Sequence, residues 1–191
     1  EKSFIKKPQM LKDLEAHPFR PGTLITATNG AVFLSEDGGK HWRNLGCHTQ
    51  VNGLKAVCVL DLPDARGNLQ LTVIASHSIY GAAWKQPAVS DKWQPLSEGL
   101  VPGPESDEEI SDIVVYTHQQ EVYASQTFTG KLYQLDWPTK SFHAVSDWTD
   151  GIAGARCIDG LSSAAVSIIG CKDGGLFEVP LVLPIPNPTR L

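Results

Sequence analysis

The chain is short of basic residues. Sixteen Lys and Arg stand against 21 Asp and Glu, for a formal net charge of −5. Phosphate backbones bind basic faces, so this balance argues against nucleic acid as the principal partner. Long apolar runs are missing too. No stretch approaches the roughly 18–20 apolar residues that a spanning helix needs. The opening Glu1-Lys2-Ser3-Phe4 lacks the character of a secretory leader, although a cleaved leader could precede it. Cys47, Cys58, Cys157 and Cys171 show neither CxxC spacing nor paired histidines, which excludes the usual zinc patterns. Up to two disulfides, in three full connectivities, and four buried or half-buried thiols all remain compatible with that count. There is one methionine. Glycine and proline, by contrast, number 17 and 13 in 191 residues, which predicts many turns and few long helices. A chain 41% hydrophobic and 19% charged can bury the core of one modest domain.

Within that composition a unit recurs. A β-rich run, a polar or glycine turn and an aliphatic–aromatic pair occur four times, with the aromatic members at Phe33, Tyr80, Tyr133 and Phe177. A second marker follows each of the first three pairs: Trp42-x-x-Leu45, Trp93-x-x-Leu96 and Phe142-x-x-Val145. Two markers advancing in step, at intervals of about four dozen residues, are the signature of β-propeller blades. Each unit divides into four strands, A to D from inside to outside, and the alternation of β-branched and polar residues sets their limits. The first has A near 11–17, B at 24–28, C at 32–35 and D at 42–45. The second has 55–62, 69–76, 79–84 and 92–96. The third has 110–117, 121–127, 131–136 and 141–146. The fourth has 155–161, 165–171 and 176–181. The stretch Met10-Leu-Lys-Asp-Leu-Glu-Ala fits a strand or a helical turn.

The expected fold is therefore all-β: a propeller or propeller segment of about four blades of four-stranded antiparallel sheets. One domain covers residues 1–183, with blades near 8–46, 54–97, 109–147 and 154–183. A Pro-rich tail follows at 184–191. The fourth unit lacks a D strand of its own. Three prolines at 184, 186 and 188 disqualify the tail from a sheet interior, whereas Lys2-Ser3-Phe4-Ile5-Lys6 resembles the third D strand, so residues 1–7 are expected to close that sheet. Deleting them should then lower the melting temperature.

The most specific string is Ser35-Glu36-Asp37-Gly38-Gly39-Lys40-His41-Trp42. It resembles the Asp-box, or BNR repeat, S-x-D-x-G-x-T-W, with His41 where Thr is usual. Ala16-His17-Pro18 through Leu24 resembles the entry to the same repeat. The other blades keep the pattern and lose the box. The Asp-box β-propeller family includes sialidase-like, sortilin-like and photosystem II assembly-factor-like propellers. The resemblance implies that Ser35, Asp37, Gly39 and Trp42 are scaffolding, on the side opposite the usual ligand face. Physically, Ser and Asp side chains can hold turn amides, Gly39 can take positive φ, and Trp42 can cap the turn.

Catalysis is not expected. A sialidase needs three convergent arginines, a Tyr–Glu pair and an acid. Arg20, Arg43, Arg66, Arg156 and Arg190 are scattered through the unit, and Glu121 and Tyr123 simply share a strand face. No G-x-S-x-G occurs. The expected function is a non-catalytic binding or assembly scaffold for a protein partner. Its candidate loop face carries His48, His77, Glu105, Asp107, Glu108, Glu109, Gln126, Trp148 and Asp150. The acidic run at 105–109 would suit a basic segment, and Trp148 would serve as an anchor. The alternative is a carbohydrate-binding or sialidase-like glycosidase module. No cofactor and no metal are expected. A second copy could complete the ring, because an unclosed fan leaves apolar flanks exposed. A periplasmic or secreted setting is favoured.

Overall fold

The computed structural model describes residues 10–47, 53–77, 81–100, 110–116, 121–126, 131–147, 155–161, 166–171, 176–180 and 189–190, with side chains for 10–47, 53–77, 81–100, 121–124 and 133–144. Every regular element among them is a strand, in four four-stranded antiparallel sheets. Sheet 1 is β1 (Leu11–Ala16), β2 (Leu24–Thr28), β3 (Val32–Ser35) and β4 (Arg43–Gly46). Sheet 2 is β5 (Leu54–Pro63), β6 (Leu69–His77), β7 (Gly81–Lys85) and β8 (Gln94–Pro95). Sheet 3 is β9 (Ile110–Tyr116), β10 (Glu121–Gln126), β11 (Lys131–Asp136) and β12 (Ser141–Asp147). Sheet 4 is β13 (Ala155–Leu161), β14 (Val166–Cys171), β15 (Leu176–Pro180) and β16 (Thr189–Arg190). In each, chain order equals spatial order. Such up-and-down sheets, repeated along the chain, are propeller blades.

The sheets stack in sequence through their first strands: β1 on β5, β5 on β9, and β9 on β13. The sequence of β5 explains why. Leu54, Val57 and Val59 point to sheet 1, while Cys58, Leu60 and Leu62 point to sheet 3. A strand buried on both faces reads as a near-continuous apolar run, and Leu54-Lys-Ala-Val-Cys-Val-Leu-Asp-Leu62 is one. Two cores result. One joins Ile25, Ala27, Val32, Leu34 and Leu45 of sheet 1 to Leu71, Val73 and Ala75 of sheet 2. The other joins Ile74, Ala82 and Leu96 of sheet 2 to Val122, Ala124, Tyr133, Leu135 and Phe142 of sheet 3.

Polar groups cross the same seams. Val57 N donates to Asp13 Oδ2 at 2.8 Å. Trp93 Nε1 donates to Leu45 O at 3.0 Å, and the buried Lys85 ammonium donates to Leu45 O and Asp91 O. Between sheets 2 and 3, Trp137 Nε1 donates to Pro63 O at 2.7 Å and Phe142 N to Glu98 O at 2.7 Å. Gly99, at φ 85°, lies so close there that a Cβ would stand 1.8 Å from Phe142 O. Only glycine fits that backbone approach.

Residues 11–16 form the expected strand rather than the alternative helical turn, since Leu14 and Ala16 pair with Thr26 and Leu24 across the sheet. Two expectations need correction. The outer strands of sheets 1 and 2 start later than expected, at Arg43 and Gln94, because Trp42 and Trp93 turn out of the ladder to bond Gly39 O and Leu45 O. The C-terminal tail, from which no strand was expected, supplies a fourth strand to sheet 4, while residues 1–7, expected to close that sheet, lie outside the described residues. Thr189 and Arg190 pair with Glu178 and Phe177. The three prolines all precede this pair, so its amides remain able to pair.

Candidate functional site

The up-and-down order sends the A–B and C–D turns to one end of the stack, and the B–C turns and blade-to-blade connections to the other. The Ser35–Trp42 hairpin, the string that resembles an Asp-box, is at the first end, between β3 and β4. Its hydrogen bonds radiate from two side chains. Ser35 Oγ donates to Asp37 Oδ1 at 2.9 Å and accepts from Gly39 N at 2.9 Å. Asp37 Oδ1 also accepts from His41 N at 2.9 Å, and its Oδ2 lies 2.6 Å from His41 Nδ1. The His41 ring thus supplies a second bond to the carboxylate beyond the one from its amide. These partners, the His41 amide foremost, lower the Asp37 pKa from 3.8 to about 2.

Gly38 and Gly39 take φ of 75° and 86°. Trp42 Nε1 donates to Gly39 O at 3.0 Å, and its ring packs beside Gly39. The hairpin is tied to the neighbouring A–B turn by Gly38 N donating to Gly22 O at 2.8 Å. A shallow hollow of about 390 Å³ adjoins it, lined by Leu34, Glu36, Asp37, His41, Trp42 and Arg43. Its charges are matched internally, Arg43 with Glu36 at 3.7 Å and His41 with Asp37.

At that same end a second cluster stitches sheet 1 to sheet 2. His17 Nδ1 accepts from Phe19 N and Arg20 N, both at 3.1 Å. The Arg20 guanidinium pairs with Asp61, whose Oδ2 lies 3.6 Å from His17 Nε2. Burial lowers the His17 pKa, with Asp61 opposing. Sequence spacing gave no sign of this cluster, because Asp61 stands 41 residues beyond Arg20.

The C–D turn of sheet 3 holds a third group missed from sequence. Lys140, at φ 60°, places Nζ 3.4 Å from the Trp137 ring centroid and donates to Trp137 O. Trp84 of sheet 2 meets Trp137 edge-on at 4.9 Å. Burial lowers the Lys140 pKa, and Asp136 opposes. Among the described residues, these three turns are therefore pinned by different chemistry.

Most of the candidate loop face falls elsewhere. His48, Glu105, Asp107, Glu108, Glu109, Trp148 and Asp150 lie outside the described residues, and Gln126 is placed only by its backbone, at the end of β10. His77 belongs to β6 and not to a connecting loop, and it is fully buried opposite Leu54 and Gly81. Of the arginines, Arg20 pairs with Asp61, Arg43 with Glu36, and Arg66 sits in the β5–β6 turn. Among the described side chains they do not converge. Among the described residues, no group of three or more His, Cys, Asp or Glu could hold a metal ion, and no helix is long and apolar enough to cross a membrane.

No protein-family model matches the chain, and no curated protein does. Solved structures do match. The chain is similar to YCF48 bound to D1 peptide, with a TM-score of 0.58 and 16% identity, covering 99% of this chain and 55% of that one. It is similar to an auxiliary nutrient binding protein from Bacteroides ovatus, with a TM-score of 0.66 and 10% identity, covering 95% and 42%. The BT4673 extracellular domain from B. thetaiotaomicron gives 0.55 and 13%, covering 93% and 22%. The chain spans about half or less of each. At such identities the likeness shows the fold, which is a β-propeller segment.

Proposed function

We propose that this chain is a non-catalytic binding scaffold. Its partner would be a protein segment held at the end of the blade stack that carries the B–C turns and blade-to-blade connections. The observation that carries this reading is the likeness over 99% of the chain to a propeller solved with a peptide bound. The Asp-box supports it by exclusion. Its Ser, Asp, Gly and Trp are spent on the hairpin's own amides and carbonyls, so that hairpin is scaffolding. The reading assigns contact to His48, Gln126, Trp148 and Asp150 and to the acidic run Glu105, Asp107, Glu108 and Glu109. That run suits a basic segment, since complementary charge raises association rate and specificity. An extracytoplasmic setting belongs to the same proposal, in keeping with the extracellular and nutrient-binding neighbours.

The test is a pull-down with the intact chain against a peptide library, repeated after Glu105, Asp107, Glu108 and Glu109 are changed to Gln or Asn. Salt-sensitive capture of basic peptides that weakens in the variant is the expected result. Capture of glycans on an array, with no peptide retained, would overturn it in favour of a carbohydrate-binding or sialidase-like module.

A further inference from the structure

A buried histidine joins the first two blades, at the end of the stack opposite the proposed partner face. His17 follows β1 at the head of the A–B turn of sheet 1, and its side chain is fully buried. Its Nδ1 accepts from Phe19 N and Arg20 N, both at 3.1 Å. Two amide donors sharing one ring nitrogen exclude a proton there, so the ring is neutral and carries its proton on Nε2. Among the described residues that Nε2 has no hydrogen-bond partner. Asp61 Oδ2 of β5 stands 3.6 Å away and already accepts from Arg20 Nε at 3.0 Å. A buried polar atom without a partner calls for an explanation. A second proton has one place to go, Nδ1, and there it would face two N–H groups.

We infer that the A–B turn of sheet 1 is an acid-released latch, closed while His17 accepts the two amides and opened when Nδ1 takes up a proton. Three attachments depend on the closed turn. His17 N donates to Thr23 O at 2.9 Å, which joins its two ends. Gly38 N donates to Gly22 O at 2.8 Å, which ties it to the Ser35–Trp42 hairpin. The Arg20 guanidinium pairs with Asp61, which ties it to sheet 2. The surroundings favour the closed form. Burial disfavours the imidazolium most; Asp61 favours it and Arg20 opposes it, and the net effect is a pKa below the ordinary 6.5. Of the other charges on adjoining elements, Glu15 of β1 is exposed, and Asp37 of the hairpin is bonded to Ser35 and His41. With its folded pKa lowered, His17 binds a proton more readily in the unfolded chain. The latch therefore stabilises the fold above about pH 6.5. That contribution is lost as the pH falls from there toward the folded pKa, by up to about tenfold in the folding equilibrium per pH unit.

Urea unfolding of the intact chain between about pH 7.5 and pH 5, beside His17→Asn, tests this. An Asn at the head of a turn accepts the same amides through its side-chain oxygen and does not titrate. The folding constant of the wild type should fall relative to that of the variant by about tenfold across this range, since every other titrating group is common to both. Nitrogen NMR of the wild type, labelled at histidine and at the backbone amides, reads the latch itself. The His17 ring should carry its proton on Nε2 at about pH 7.5 and protonate with a midpoint below the ordinary 6.5. The Phe19 and Arg20 amide signals should move at that same midpoint. A variant whose stability runs parallel to the wild type at every pH overturns the inference. If the variant does not fold, the NMR titration decides alone: a ring protonated on Nδ1 at about pH 7.5, or a midpoint above the ordinary value, overturns it. Neither measurement involves a partner, so this inference and the proposed binding role fail separately.

Discussion

Strands β1 and β5 occupy equivalent places, each the first strand of its sheet, and both begin Leu-Lys. In Leu11-Lys-Asp-Leu-Glu-Ala16 no residue is fully buried. In Leu54-Lys-Ala-Val-Cys-Val-Leu-Asp-Leu-Pro63 seven of ten are. Local propensity does not separate them; coverage does. β5 has a sheet on either side, while β1 has one. The apolar content of each strand follows the number of sheets it contacts among the described residues.

The strongest challenge to this contrast is Gly99→Ala, at the covered side of sheet 2. The added methyl would collide with Phe142 O, at a φ that side chains rarely adopt. A loss of more than about 4 kcal/mol, or failure to fold, is expected in urea unfolding. Leu60→Ala removes a fully buried side chain from the seam between sheets 2 and 3 and should cost roughly 2–5 kcal/mol. Trp137→Phe keeps most of the ring but leaves Pro63 O without its donor across that seam. About 1–2 kcal/mol is expected from the same titration.

Asp37 gives a pH-dependent effect on sheet 1. The Asp37 pKa is held below its ordinary 3.8, at about 2, so its carboxylate stabilises the fold above about pH 4. That contribution is lost as pH falls through 2. Thermal melts between pH 5 and 2 should therefore slope less steeply in Asp37→Asn than in the wild type. Last, Leu14→Ala should change stability by less than about 0.5 kcal/mol. If it costs as much as Leu60→Ala, the contrast between the two strands fails.

The strand order was legible because it is written locally. Period-two alternation bounded by Gly, Pro, Asn and Asp placed β2, β3, β11 and β13 at their observed limits. The Ser35–Trp42 hairpin was legible for the same reason, since its side-chain bonds lie within four residues. What sequence missed is long-range. The His17–Asp61–Arg20 cluster, the Trp84–Trp137–Lys140 group and the Trp93 and Lys85 bonds to Leu45 O join blades 40 or more residues apart, and no local pattern encodes them. β16 was missed because the weight given to three prolines obscured the two residues after them. The candidate loop face was read from connection topology and charge alone. His77 is where that reading went astray, because strand β6 runs one residue further than its alternation indicated and buries it.

Hydrogen exchange followed by mass spectrometry compares the two strands directly. Amides of 54–62 should be strongly protected, while those of 11–16 should exchange much faster. Equal protection of the two segments would contradict the account.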